Sequence, residues 1–217
     1  MNRLKKRAVV FDLDGTLVDS LPLVLRSIAH AIAPFTSERP MTEIFAHLGG
    51  PPDRFLGGLI GDERHVPAAV QRLAEFHANN QHLVQPFEEV RIPLMDLKKR
   101  GVQLAIWTGR DRESGEYLLR QHDLAEFFET IVYGDDLPTH KPAPEGLLAI
   151  MRRLAVSAGE TLFVGDADVD VLGGSGAKVD TILIRHEREI DAVVSAQAWR
   201  TVKSPGEAME WVGRLAV

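Results

Sequence analysis

Cysteine is absent from the 217 residues, which removes disulfides, thiolate nucleophiles and cysteine-based zinc sites together. That lack fits a reducing compartment, and a cytoplasmic location is expected. Long apolar runs are missing too: none approaches the ~20 residues needed to span a bilayer, so no membrane partner is expected. Basic blocks do not extend beyond Lys5-Lys6-Arg7, and the net charge is −6, so nucleic-acid binding through a basic face is not expected. The basic cluster is followed by only four apolar residues before Asp12, too few for a secretory apolar region. Internal repeats and low-complexity segments are also lacking. What remains is ordinary globular composition, 45% hydrophobic and 26% charged, enough for one large or two small cores.

The stretch that organises the rest is Ala8-Val9-Val10-Phe11-Asp12-Leu13-Asp14-Gly15-Thr16. A short apolar, β-branched run predicts a buried strand, and a glycine breaks it. Two carboxylates follow at its end, two residues apart, and strand alternation would direct both to one side. Both ionised, ~4 Å apart at an effective dielectric of ~20, they would repel by roughly 4 kcal/mol. A cation, or a proton on one of them, would relieve that repulsion.

Downstream, residues 17–33 carry apolar side chains at helical spacing, with Asp19 or Ser20 as a cap and Pro22 in the first turn. Short helices and turns are predicted from 36 to 85: one after Thr42, one over 54–60 capped by Asp53, and one over 66–83. From Pro86 helix and strand alternate, with strands over 102–107, 130–133, 161–164 and 181–184, and a further one at 201–202. The intervening helices fall over 93–100, 112–122, 144–154 and 168–174, and 206–215 closes the chain. Strands separated by helices predict an α/β fold, a doubly wound and mostly parallel sheet. About ninety residues separate the first two of these strands, whereas a plain βαβ unit takes roughly 30. The excess is helical, so residues 1–18 and 86–217 are expected to form an α/β core, with 19–85 an inserted all-helical domain.

Ligands of open parallel sheets bind beyond the carboxyl ends of the strands. The residues placed there are Asp12, Asp14, Thr108, Gly109 and Asp166, and Lys141 lies in a loop of the same rim. Singly, each has a plain reading: a surface turn, a strand-ending turn, a solvated loop lysine, an acidic helix start. Together they fit phosphate chemistry. Three carboxyl groups suit magnesium, Thr108 and nearby amides can donate to phosphoryl oxygens, and Lys141 balances charge. One aspartate can attack phosphorus.

These segments resemble the phosphatases of the haloacid dehalogenase (HAD) superfamily, and the resemblance covers nearly the whole chain. It is carried by Phe11-Asp12-Leu13-Asp14-Gly15-Thr16-Leu17-Val18-Asp19-Ser20, Thr108, His140-Lys141-Pro142-Ala143-Pro144-Glu145, and Gly165-Asp166 with Asp170. It implies a Rossmann-like core with a helical cap, as in the phosphoglycolate phosphatase-like group, and Mg2+ as cofactor. It also implies roles. Asp12 is the nucleophile and a metal ligand. Asp14 is the general acid and base, its backbone carbonyl also touching the metal. Thr108 and the amide of Gly109 hold phosphoryl oxygens, Lys141 binds phosphate and orients Asp12, Asp166 ligates metal, and Asp170 acts through Lys141 or a metal-bound water.

A carboxylate at Asp14 favours phosphate esters over dehalogenation, and Leu21-Pro22-Leu23-Val24-Leu25 lacks the histidine expected of a mutase. The implied activity is therefore hydrolysis of a small phosphorylated metabolite, phosphoglycolate-like or a sugar phosphate, by a monomer or homodimer. A phosphomutase, a pyrophosphatase or a non-catalytic phosphate-binding regulator of the same fold are the alternatives. The chain departs from the family's common pattern at Gly109-Arg110, where asparagine is frequent, and at Ala167, where serine is. Arg110 reads as a substrate contact or as a solvated helix-entry residue. Gly49-Gly50-Pro51-Pro52-Asp53-Arg54 is the candidate specificity loop, in which Arg54 would grip a second anion. Hinges are expected near 18–22 and 84–88.

Overall fold

The computed structural model describes residues 5–47, 52–186 and 191–216. Strand β1 (Ala8–Phe11) is buried along its whole length, as its β-branched apolar run predicts. A tight turn leads to the two-residue β2 (Val18–Asp19). Four helices follow: α1 (Leu21–Ile32), α2 (Met41–Ala46), α3 (Pro52–Ile60) and α4 (Val66–Asn79). The short β3 (Gln85–Pro86) pairs with β2. The chain then alternates through α5 (Arg91–Lys99), β4 (Gln103–Trp107), α6 (Arg112–Gln121), β5 (Thr130–Val132) and α7 (Glu145–Leu154). It continues through β6 (Thr161–Gly165), α8 (Asp168–Gly176), β7 (Asp180–Ile184), α9 (Ala192–Ser195), β8 (Arg200–Val202) and α10 (Pro205–Leu215).

Helix α1 starts at Leu21, four residues later than its apolar spacing predicts. Leu17 and Val18 are apolar because they are fully buried, and their amides are already spent on the carbonyl of Leu13 at 2.9 and 3.0 Å. Burial in a turn thus imitates a helical stripe. Asp53 lies inside the first turn of α3 and does not cap it, and Pro40, not Thr42, precedes α2. Helix α4 stops at Asn79, and Gln81–Leu83 forms a separate 3-10 turn. Of the expected 49–54 loop, residues 49–51 lie outside the described residues, and Pro52, Asp53 and Arg54 open α3. Helix α9 was not legible in the spacing; Asp191 caps it, accepting the amides of Val193 and Val194 at 2.7 and 3.1 Å.

Six strands form one sheet in the order β5-β4-β1-β6-β7-β8, and each adjacent pair is parallel. In register, Val10 lies between Ala105 and Phe163, and Phe11 between Ile106 and Val164. Val10, Ala105, Trp107 and Phe163 share one face with Leu147, Ile150, Met151 and Leu154 of α7. Val9, Phe11, Leu104, Ile106, Leu162 and Val164, the alternate residues, are buried as well. Continuous burial explains why these strands read as unbroken apolar runs instead of alternating ones. This is the doubly wound α/β arrangement that the alternation predicts.

The chain divides into two compact units, one running up to Asp19 and resuming at Pro86, the other Ser20–Gln85. The second unit is helical, with its own core of Ile28, Ala31, Ile32, Ile44, Leu56, Leu59, Ile60 and Ala69. Among the described residues no helix is long and apolar enough to cross a membrane.

Candidate active site

The strand order reverses at β1. The chain runs from β1 to β4 and β5 on one side, then returns to β6, β7 and β8 on the other. Such a reversal opens a crevice beyond the carboxyl ends of the central strands, because the connections diverge to opposite sides. Asp12 follows β1 directly, its amide still donating to Val164 at 2.8 Å. Thr108 follows β4, and Asp166 follows β6. Lys141 arrives from the loop between β5 and α7, next to a cis Lys141-Pro142 bond.

Lys141 is the centre of the cluster. Its Nζ donates to Asp12 Oδ1 at 2.6 Å and to Asp170 Oδ1 at 2.7 Å. The Lys141 side chain is 8% exposed, that of Asp12 10% and that of Asp170 1%. Below it lie the rings of Trp107 and Phe163, with centroids 5.0 and 5.4 Å from Nζ, near enough for cation–π attraction. The other oxygen of Asp170, Oδ2, accepts the amides of Asp166 at 3.1 Å and Ala167 at 3.0 Å. A side chain in the first turn of α8 thus ties the preceding loop back, as the acidic half of a capping box does. Asp170 reaches those amides over Gly165, where an added Cβ would stand 2.4 Å from Oδ2.

Burial raises the Asp12 carboxyl well above the ordinary carboxylate range; Lys141 works against this, and the nearby charges of Asp170 and Asp166 add to it. For Lys141, burial alone would lower the ammonium, but the facing carboxylates of Asp12 and Asp170 carry it above the usual lysine value. Two carboxylates, Asp12 and Asp170, face the one ammonium of Lys141. One oxygen from each of Asp12, Asp166 and Asp170 lies within 4.8 Å of the others. Carboxylate oxygens in that number suit a hard divalent cation. Asp170 is already committed, since both of its oxygens accept hydrogen bonds.

Asp14 does not belong to the group of Asp12, Asp166 and Asp170, and strand alternation does not govern it. β1 ends at Phe11, so the period of two stops before Asp14, which lies in the following turn. Its carboxylate accepts Arg110 Nε at 3.0 Å on Oδ2 and Arg110 Nη2 at 2.5 Å on Oδ1. Arg110 is 7% exposed at its side chain, which overturns the reading of a solvated helix-entry residue. Its backbone is fixed as well: the Arg110 amide donates to Thr108 Oγ1 at 3.1 Å and its carbonyl accepts from Gly134 at 2.8 Å. Thr108 is itself buried, and Gly109 connects it to Arg110.

Gly15, after Asp14, has φ +71, and a Cβ there would stand 2.3 Å from Asp166 Oδ2. Only glycine takes that backbone and that approach without strain. Its carbonyl accepts His186 Nε2 at 2.7 Å. His186 was missed, although it lies just past β7 and the strand-end rule covers it. Trp107 and Phe163 were missed for another reason: a buried ring beneath a cation reads as plain core in a sequence. Arg54 is exposed on α3, in the other compact unit, and is not part of this cluster of core residues.

Comparisons with known proteins identify the family. The family model of haloacid dehalogenase-like hydrolases matches residues 9–184. A Halalkalibacterium halodurans protein named pyrophosphatase PpaX is 34% identical over 176 residues, covering 81% of this chain and 82% of its own. A Pseudomonas putida protein named phosphoglycolate phosphatase is 33% identical over 199 residues, covering 86% of this chain and 73% of its own. A crystal structure of a HAD-superfamily hydrolase from Geobacter sulfurreducens shares the fold, with TM-score 0.76 at 22% identity over 95% of this chain and 96% of that one. With four strand-end segments converging on one crevice and a family match that spans them all, the chain belongs to the haloacid dehalogenase-like hydrolases.

Proposed function

We propose that this protein is a magnesium-dependent phosphatase that hydrolyses a small phosphorylated metabolite through an aspartyl-phosphate on Asp12. The observation that carries the reading is the buried Asp12 carboxylate, paired with Lys141 at 2.6 Å and grouped with Asp166 and Asp170. In the first step an Asp12 oxygen bonds to phosphorus and the bond from phosphorus to the leaving oxygen breaks. Asp14 gives that oxygen its proton. In the second step water attacks phosphorus, Asp14 takes the water's proton, and the bond to Asp12 breaks, releasing phosphate. Lys141 orients Asp12 and binds phosphate, while the Thr108 hydroxyl and the Gly109 amide hold phosphoryl oxygens. Asp170 fixes Lys141 in place. A magnesium ion held by Asp12 and Asp166 would supply positive charge beside the reacting phosphoryl group. The unit Ser20–Gln85 serves as the cap that admits and selects substrate, with Arg54 as a contact for a second anionic group.

Phosphoglycolate-like esters and sugar phosphates are the first reading, supported for the former by a relative 33% identical that carries the name phosphoglycolate phosphatase; pyrophosphate is the second, because a relative 34% identical carries that name. The protein would act in the cytoplasm as a monomer or homodimer. The test is release of phosphate from phosphoglycolate, a set of sugar phosphates and pyrophosphate, with and without magnesium, for wild type and Asp12→Asn. Turnover that needs magnesium and is lost in Asp12→Asn supports the reading. A folded wild type no more active on any of them than Asp12→Asn refutes it. Transfer of phosphate to product with none in solution would make the protein a mutase.

A further inference from the structure

The turn that carries Asp14 closes on itself through backbone hydrogen bonds. Gly15 donates to Val18 at 2.8 Å, and Leu17 and Val18 donate to Leu13 at 2.9 and 3.0 Å. Its polar side chains do not brace it: Asp14 is taken by Arg110, and the Thr16 hydroxyl is buried without a hydrogen-bond partner. Outside the turn stands His186. A carbonyl oxygen only accepts, so the 2.7 Å contact with Gly15 places the hydrogen on His186 Nε2. The imidazole also stacks on Phe87, with ring centroids 5.8 Å apart and planes 26° from parallel. Phe87 in turn donates its amide to Leu17 at 3.1 Å. Gly15, His186, Phe87 and Leu17 thus form a closed circuit around the turn. His186 holds its place with φ +52, a backbone state uncommon outside glycine, though histidine takes it more readily than most. Strain of that kind persists only where surrounding contacts over-determine it.

We propose that His186 is a positioning residue: its Nε2–H fixes the Gly15 carbonyl and so holds the Asp14 turn against Asp166 and the sheet. Three variants in the full-length protein separate its parts. His186→Ala removes both contacts, His186→Gln keeps a donor without the ring, and His186→Phe keeps the ring without a donor. Two readouts are taken: amide hydrogen exchange at Gly15 and Val18, with Val10 and Ile106 as sheet references, and hydrolysis of p-nitrophenyl phosphate with magnesium. In His186→Ala and His186→Phe the turn amides should exchange about tenfold faster while the sheet amides are unchanged, the loss of one hydrogen bond. The kcat should fall about tenfold with KM within about twofold, and His186→Gln should recover most of both. The kinetic arm rests on the phosphatase reading, but the exchange arm does not. A wild type without turnover therefore counts against that reading, while exchange still decides the role of His186. Unchanged exchange at Gly15 and Val18, acceleration shared by the sheet amides, or wild-type behaviour in His186→Phe would each overturn the proposal.

Discussion

Replacing Lys141 by methionine should lower the stability of the core unit by about 3–5 kcal/mol at pH 7 without magnesium, the usual cost of breaking a buried ion pair. The gross attraction is larger. At an effective dielectric of ~20, contacts of 2.6 and 2.7 Å to Asp12 and Asp170 are each worth roughly 6 kcal/mol. Desolvating an ammonium whose side chain is 8% exposed cancels much of that gain in the wild type. What the variant cannot recover is the position of the carboxylates it abandons. Asp170, 1% exposed at its side chain, and Asp12 keep their desolvation penalty and lose their counter-charge. Methionine fills a similar volume and can lie on Trp107 and Phe163, so little of the loss comes from packing. All three tryptophans, Trp107, Trp199 and Trp211, belong to the core unit, so fluorescence follows that unit alone. With a urea slope of ~2 kcal/mol/M, the midpoint should drop by about 1.5–2.5 M. Magnesium should raise the midpoint of Lys141→Met more than that of wild type, because a bound cation restores the missing charge and stabilises by linkage. A midpoint shift below about 0.5 M would refute the view that the carboxylates depend on Lys141.

Two further outcomes follow from other ion pairs. Arg110→Ala frees both oxygens of Asp14, and kcat should fall by about 10- to 100-fold with KM within about threefold, if Arg110 aims the acid and base group. A rise in KM with kcat preserved would instead assign Arg110 to the substrate. Glu160 is held down to about 2 by the amide and hydroxyl of Ser157 and by Arg7, below an unfolded value of 4.5. Its folded pKa is the lower one, so its stabilisation is present above about pH 4.5 and is lost as pH falls towards about 2. The melting temperature of Glu160→Gln should lie below that of wild type at pH 7, and the gap should close across that window. A gap that persists at pH 2 would show that the charge of Glu160 is not what matters.

The same side chain, aspartate, takes three different positions in this crevice, and the sequence distinguishes them only in part. Asp12, Asp14 and Asp166 were legible as rim residues because each lies just past a strand, and strands that are buried on both faces announce themselves as apolar runs. Lys141 was legible because its loop belongs to the same rim. Spacing carries no side-chain direction once a strand has ended, so it could not show that Asp12 turns to Lys141 and Asp14 to Arg110. Nor could it show that Asp170, a helix residue, reaches back over Gly165 to two loop amides. Those partners decide what each carboxylate can do. Asp170 has every oxygen committed and is 1% exposed, so it is suited to hold another group still. Asp12 has one oxygen on Lys141 and shares its surroundings with Asp166, so it is placed to meet a cation and an electrophile together. Asp14 is 33% exposed at its side chain and is held by the Arg110 guanidinium. A group that exchanges protons with water needs that access, whereas a nucleophile that must exclude water needs burial. Under the proposed phosphatase reading, exposure and the cation each one meets would set different tasks for these two aspartates, two residues apart.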